Sequence, residues 1–436
     1  MPRRNLYAIA MVGALSLLCW QASQAARPKD EVSELYGVFV DAVEQVQQNY
    51  VRPVNRRELM ESALRGMLSD LDPHSAYINT SQWKSFKRQI EGKFGGLGIT
   101  VEVDEDSKRL KVIAPMVGTP AYTAGVLAGD LILDIDGIST EGLTIDKAIE
   151  SLQGQPGTAV KLQVLHEATE KVETISVTRA IIDVPSVMGD RRKPDDTWDY
   201  MLDPAKKIGY IRITNFIQNT TEEVKAALKD LEAQGMKALI LDLRDDPGGL
   251  LTAAVDISDL FVEDGKIVST KGRNTAEKSY EARKEGTYSG FPMAVLVNHN
   301  SASASEILSA CLQDHGRAVV VGERSFGKGS VQNILDLEDG NSVLKLTVAT
   351  YWRPSGKNIH RDKKAKETDD WGVSPSPGLE VKLSREAYHD WYVARRDRDF
   401  ASTRSKPKPK ADAPAPKPFV DKQLDKAVAV VGEKLR

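Results

Sequence analysis

The sequence predicts an α/β multidomain chain with a helical N-terminal segment, a β-rich unit holding two helices, an α/β core, and a C-terminal helix behind a Lys/Pro/Ala-rich linker. Three observations carry this. Apolar residues recur at helical spacing from Leu35 to Leu71, then give way after Gly95 to short runs of period two. The stretch Ala238–Leu243 is almost continuously apolar, as in a strand covered on both faces, and a glycine turn and a helical pattern follow it. Finally, the run from Lys406 to Pro418 isolates a last amphipathic stretch.

At 436 residues the chain has room for about three domains. The 59 basic and 62 acidic residues are interspersed and nearly balance at −3, so nothing marks a nucleic-acid partner. Residues 1–25 read as a signal peptide: Arg3 and Arg4 lead an apolar stretch, Ala8–Trp20, and Ser23-Gln24-Ala25 offers small residues for cleavage. The apolar run is short for a bilayer span. Cleavage leaves Cys311 as the one cysteine, so no internal disulfide forms, and its place on an apolar helical face reads as core.

Residues 30–92 form the N-terminal helical region. Leu35, Phe39, Ala42, Val43, Val46 and Tyr50 share one face, which ends at Arg52-Pro53. A second helix carries Leu59, Ala63, Leu64, Met67, Leu68 and Leu71, and stops at Asp72-Pro73-His74, where the histidine reads as a turn residue. Residues 93–180 read as strands at Ile99–Val103 and Leu110–Ala114, a short helix at Pro120–Ala124, and a strand at Leu131–Ile135 turning at Asp136-Gly137. A helix capped by Thr144 follows, with Ile145, Ala148, Ile149 and Leu152 inward, then strands at Val160–Leu165 and Glu173–Val177.

Residues 181–400 form the core. A strand at Ile208–Ile213, a helix over Thr221–Gln234 and the strand to Leu243 lead into Arg244-Asp245-Asp246-Pro247-Gly248-Gly249 and a helix over Leu250–Phe261. A strand followed by a glycine turn and a helix leaves N–H groups pointing outward. The strand Met293–Val297 leads to Ser301-Ala302-Ser303-Ala304-Ser305-Glu306, where Ser303 and Glu306 fit a capping box, and Ile307, Leu308, Cys311 and Leu312 give the apolar stripe behind it. A serine at a helix N-terminus suits a nucleophile whose reaction makes an oxyanion, although a serine cap alone needs no chemistry. Gly322–Lys328 matches the start of a phosphate-binding loop. Gly329 then stands where Ser or Thr should, and Val331–Leu337 reads as a strand rather than a helix, which excludes nucleotide binding. After Gln332 a hairpin turns at Asp339-Gly340 and returns over Val343–Tyr351. Residues 401–418 are the linker, and 419–436 a helix whose stripe, Leu424, Val428, Val431 and Leu435, suggests docking on a partner.

Asn298, the Ser301–Glu306 run, Phe326-Gly327-Lys328-Gly329, Gln332 and Asp242–Gly249 together resemble the C-terminal processing peptidases, the tail-specific serine proteases of family S41, from the first helix to about residue 380. The resemblance implies a periplasmic serine endopeptidase with Ser303 as nucleophile, Lys328 as general base and Gln332 orienting the lysine. It also implies an oxyanion hole from Gly248, Gly249 and Ala304, with Asp245-Asp246 standing where the family usually has asparagines. The strand–helix order of residues 93–180 resembles a PDZ domain, with Gly96-Leu97-Gly98-Ile99 as the carboxylate-binding loop. A peptide would then add beside Ile99 and Val101, with its last side chain near Ile149 and Leu152. The family further implies homo-oligomers through terminal helical segments, outer-membrane lipoprotein adaptors with helical repeats, protein substrates with accessible C-termini in the envelope, and no cofactor. A catalytically gated or inactive PDZ scaffold is the alternative.

The residues fit Ser–Lys chemistry. Free lysine has a pKa near ~10.4, so a drop of about 3 units, roughly 4 kcal/mol against the charged form, is needed for it to act as a base. Burial supplies such a drop, and a glutamine four residues on can hold the amine without adding an anion. A Ser–His pair is the rival. His299 lies one turn before Ser303 and His315 follows the helix, but neither has an orienting acid in a recognisable place. The acid pair at Asp245-Asp246 lacks a nearby histidine or third carboxylate for a metal.

Overall fold

The computed structural model describes residues 31–167, 169–400 and 419–435, so the signal-like segment 1–25 and the linker 401–418 lie outside the described residues. The N-terminal region holds helices Glu31–Asn49, Arg56–Leu71 and Thr80–Glu91. Asparagines start the second and third: Asn55 accepts from Arg57 N, and Asn79 and Gln82 form a capping box. A strand, Ala76–Ile78, interrupts the helices and pairs antiparallel with Ser342–Trp352 in the core. Three residues are too few to show a period, so the sequence reads through it. On the first helix Leu35 and Phe39 stay exposed, at 65% and 45%, as does Tyr50 just beyond its end, at 54%.

The β-rich unit has antiparallel strands Ile99–Val103, Leu110–Pro115, Leu131–Ile135, Ala159–His166 and Lys171–Thr178, in that order across the sheet. Leu110, Val112, Ile132, Leu162 and Val164 fill its interior. Strand Ile99–Val103 is an edge. Lys93–Gly96 does not continue into it but pairs with Ala180–Asp183, joining the two chain crossings at the base of the unit. Gly95 is required there: a Cβ would stand 2.2 Å from the Gly154 carbonyl oxygen.

The core is a six-stranded sheet whose strands Ile208–Ile213, Ala238–Asp242, Met293–Val297 and Val319–Gly322 run parallel. Helices Thr220–Ala233, Leu251–Asp259 and Ala304–Asp314 cover one face. The helix Lys422–Glu433 covers the other, burying Leu424, Ala427 and Val431 against Ile208, Tyr210, Ile240, Ala294 and Leu296. This corrects the expectation of a stripe docked on a partner. A parallel sheet needs both faces covered, and this chain supplies the cover itself. Each fully buried Leu or Val contributes about 1.5–3 kcal/mol. A second sheet joins Ala76–Ile78, Lys266–Lys271, Lys278–Glu281, Ser330–Leu337 and Ser342–Trp352. Its hairpin turns at Glu338–Gly340, with Asp339 at φ 55° and Gly340 at φ 83°.

Candidate active site

Three loops meet at the carboxyl ends of adjacent parallel strands, where crevices form in open α/β sheets. They follow Ala238–Asp242, Met293–Val297 and Val319–Gly322.

The first loop is anchored from below. Arg244, fully buried, pairs with Asp242 at 2.6 Å and with Asp421 at 2.9 Å, and donates to Gln423 Oε1 at 3.1 Å. Asp421 also caps the C-terminal helix through Leu424 N, so that helix and the loop share one ion cluster. Asp245, at φ 57°, is held by Asn298, Asn300 and Tyr388: Nδ2 of both asparagines donates to its Oδ1, at 2.8 and 2.9 Å, and the tyrosine hydroxyl to Oδ2 at 2.9 Å. Gly248 and Gly249 follow at φ 95° and 147°, values that favour glycine. A Cβ on Gly248 would lie 2.8 Å from Ala304 N and 2.8 Å from Ser303 Cβ, so the glycine turn touches the serine turn directly.

Ser303 is the N-cap of Ala304–Asp314 and adopts φ 58°, ψ −111°, an unfavourable backbone for a side chain that costs of the order of 1–3 kcal/mol. Only 6% of its surface is exposed. Ala302 N donates to Asp246 O at 3.0 Å and Ile307 N to Ser303 O at 2.9 Å. Among the described residues, Gly249 N–H and Ala304 N–H donate to no protein acceptor. Gly248 N–H, expected to face the oxyanion, instead donates to Asp246 Oδ1 at 2.8 Å. The carboxyl two residues back lies within reach and captures it, so Gly248 contributes close approach rather than a donor.

Glu306 ties the serine to the lysine loop. Its Oε2 accepts from Ser303 N at 2.7 Å and Lys328 N at 2.9 Å, and its Oε1 from Ser325 Oγ at 2.5 Å and Gly327 N at 2.6 Å. Burial raises its pKa while these donors pull it back, and with four donors on two oxygens it acts as a carboxylate. The sequence marked Glu306 only as half of a capping box. Its second task needs the long-range contact, which no local pattern shows.

Lys328 is flanked by Gly327 and Gly329, each packed too closely on Arg361 or His360 for a Cβ. Burial depresses its pKa, nearby Lys345 lowers it further, and Glu306 opposes both. Among the described residues no hydrogen bond or ion pair is made by its Nζ. Gln332 is on strand Ser330–Leu337, but its amide Nε2 donates to Ser330 Oγ at 2.8 Å and Thr347 Oγ1 at 3.2 Å rather than to the lysine. A β-bulge between Val331 and Gln332 sets this direction. Thr347 in turn donates to Asp72 Oδ1 at 3.1 Å, and its N–H to Ser75 Oγ at 3.0 Å. The Asp72–Ser75 turn of the N-terminal region thus reaches Gln332 through one hydroxyl. His74 on that turn has its pKa lowered by burial and then by Lys328. His299 Nδ1 bonds Glu323 at 3.1 Å and His315 Nε2 the Lys266 carbonyl at 2.7 Å, so neither histidine is directed at Ser303. The glycine-lysine loop enters a strand, not a helix.

In the β-rich unit Gly98, at φ 75°, packs on Thr119, and Leu97 and Gly98 N–H have no protein acceptor among the described residues. Gly96 is spent in pairing with Ala180. Ile99 and Val101 lie half-buried on the open edge. Leu97 and Leu152, expected beside a bound peptide, are core residues at 1% and 5% exposure. Leu152 stands four residues after Ala148 and shares its inward face, whereas Ile149 points out. Ile149 lines a cavity of about 460 Å³ with Phe94, Pro185, Thr214 and Ile217. That cavity adjoins Phe216, whose backbone pairs with Gly249.

Residues 207–374 match the model of peptidase family S41, residues 111–165 that of a PDZ domain, and residues 18–82 that of the N-terminal domain of the activating protease CtpB. The chain is 37% identical over 365 residues to a carboxy-terminal-processing protease of Bartonella bacilliformis, covering 82% of this chain and 80% of that one. It is 37% identical to a carboxyl-terminal-processing protease of Synechocystis, covering 72% of each. The solved photosystem II D1 C-terminal processing protease aligns at a TM-score of 0.45 and 30% identity, over 79% of this chain and 92% of that one.

Proposed function

Since the chain belongs to peptidase family S41, as a carboxy-terminal processing protease with a PDZ domain, we propose that Ser303 is its nucleophile and Lys328 its general base. The observation that carries this reading is the Glu306 carboxylate, which holds the Ser303 and Lys328 backbones with one side chain. In the reaction Ser303 Oγ attacks the scissile carbonyl carbon while Lys328 Nζ takes its proton. The oxyanion points at the N–H groups of Gly249 and Ala304. Collapse breaks the C–N bond, and the lysine ammonium gives its proton to the leaving amine. Water, deprotonated by the same lysine, then hydrolyses the acyl-enzyme and releases Ser303.

The PDZ edge strand presents the binding mode for substrate tails: an extended C-terminal segment adds beside Ile99–Val103, with its carboxylate at Leu97 and Gly98 N–H. The signal-like residues 1–25 support a periplasmic site of action on envelope proteins. The exposed apolar face of Glu31–Asn49 supports assembly through the N-terminal region, with another copy or an adaptor of helical repeats as its partner. The test is cleavage of an unstructured protein with an apolar tail by wild type, Ser303→Ala and Lys328→Ala; activity surviving in either variant overturns the assignment.

A gated resting state is the second reading, favoured by the Gln332 amide being held on Ser330 and Thr347 away from Lys328. A serine-reactive probe that labels Ser303 only when a substrate tail or adaptor is present supports the gate. Prompt labelling of the chain alone removes it.

A further inference from the structure

Asp246 is the one buried carboxyl at the site whose charge nothing balances. It is 0% exposed, and its Oδ1 accepts the Gly248 N–H, while Oδ2, with the Ser305 hydroxyl nearby but donating to the backbone carbonyl, accepts no hydrogen bond among the described residues. Its carbonyl receives Ala302 N at 3.0 Å and Ser305 Oγ at 3.0 Å, so residue 246 is bonded into both the glycine turn and the serine turn. The charged groups of its own loop and of the serine helix are committed elsewhere. On its own loop Arg244 faces Asp242 and Asp421, and Asp245 faces Asn298, Asn300 and Tyr388. On the serine helix Glu306 is occupied by Ser303, Ser325, Gly327 and Lys328. Among the described residues no charged group acts on the Asp246 carboxyl across space: burial, the Gly248 N–H and the Ser305 hydroxyl alone set its affinity for a proton. A lone carboxylate in such a place has no counter-ion, whereas the acid form keeps the acceptor that Gly248 needs and carries no charge.

We propose that Asp246 is a positioning residue that holds the glycine turn as a neutral carboxylic acid, and that its ionisation ends activity on the alkaline side. This rests on the Ser303–Lys328 reading. An anion at Asp246 would sit on the Gly248 N–H, one residue before the Gly249 donor that must meet the oxyanion, and two like charges at one turn disfavour each other. The turn would open to hydrate it. Activity therefore rises with pH as Lys328 loses its proton and falls again as Asp246 loses its own. Burial, partly offset by the Gly248 N–H and the Ser305 hydroxyl, drives the Asp246 pKa well above the ordinary carboxylate range.

The test compares pH–rate profiles of wild type, Asp246→Asn and Asp246→Ala, each normalised to its own maximum, with circular dichroism confirming the fold at every pH. The amide keeps the acceptor for Gly248 and cannot ionise. Asp246→Asn should keep the acid limb and lose the alkaline one, standing at least tenfold above wild type in relative activity where wild type has fallen tenfold. Asp246→Ala should be weak throughout. An unchanged alkaline limb in Asp246→Asn overturns the proposal, as does an Asn variant no better than Ala. Infrared difference spectra at neutral pH give a readout without substrate: wild type minus Asp246→Asn should show a protonated-carboxyl stretch, and carboxylate bands alone would contradict it. Loss of the acid limb in Asp246→Asn would instead count against Lys328 as the base, which separates failure of this inference from failure of the one beneath it.

Discussion

The two halves of the candidate catalytic pair are built to different degrees. The serine half is over-determined: a strained backbone at Ser303, a glycine turn in van der Waals contact, and a buried carboxylate on its N–H. The lysine half has its backbone held by the same carboxylate, but its side chain and that of Gln332 do not meet. A nucleophile on a strained turn has to be fixed permanently, since only surrounding bonds keep such a conformation populated. A base can be assembled by rotating side chains. On the proposed gated reading, the gate belongs on the Lys328–Gln332 side, where the N-terminal region is attached through Thr347 and Asp72.

Variants can break this contrast. The largest effect belongs to the proposed reacting groups: Ser303→Ala and Lys328→Ala should each lose about 10⁴-fold or more in kcat. Next is Glu306→Gln, which cannot accept four N–H and O–H donors. It should lose on the order of 10²-fold in kcat with KM little changed, because both loops shift by fractions of an ångström. A loss confined to KM would place Glu306 in substrate binding instead.

Thr347→Val sharpens the contrast. If Gln332 is parked by Thr347, removing that acceptor frees the amide and should raise basal kcat by roughly 3–10-fold, the worth of one ordinary hydrogen bond. A fall would mean that Thr347 holds Gln332 in its working position and that the lysine half is already assembled. The smallest effect is on stability. Because the Lys328 pKa is depressed in the folded state, the unfolded chain binds more protons between that depressed value and ~10.4, and stability rises with pH across the window. Below the window the charged lysine is a standing penalty. Lys328→Met should therefore unfold at a higher denaturant concentration than wild type at neutral pH, and the gain should disappear as pH passes ~10.4. An advantage that does not vary with pH would trace to packing alone.

Much of this is legible in the amino-acid sequence itself. The serine helix, the glycine turn and the lysine loop each follow a strand with strong apolar signal, so the pattern of residues 238–249, 293–312 and 318–332 marks these elements to within a residue or two of their ends. The PDZ order was equally readable from its alternation and its Asp136-Gly137 turn. What escaped was long-range or short. Glu306 looked like a cap because three of its four donors lie beyond its own helix, two of them backbone groups. Gly248 looked like an oxyanion donor because sequence cannot show that Asp246 takes its N–H. Ala76–Ile78 and helix Arg385–Phe400 went unseen, the first through brevity and the second because charged residues outnumber its apolar ones. The C-terminal stripe was read correctly as apolar, but its partner was this chain's own sheet, a fact of topology rather than of pattern.

The central claim, a finished nucleophile beside an unassembled base, is tested most directly by the rate at which a fluorophosphonate labels Ser303. The protein should label slowly alone and at least tenfold faster with a peptide bearing a free apolar C-terminus, with no acceleration by the amidated peptide. Full labelling speed without any peptide would show that the base is already in place and would contradict the account.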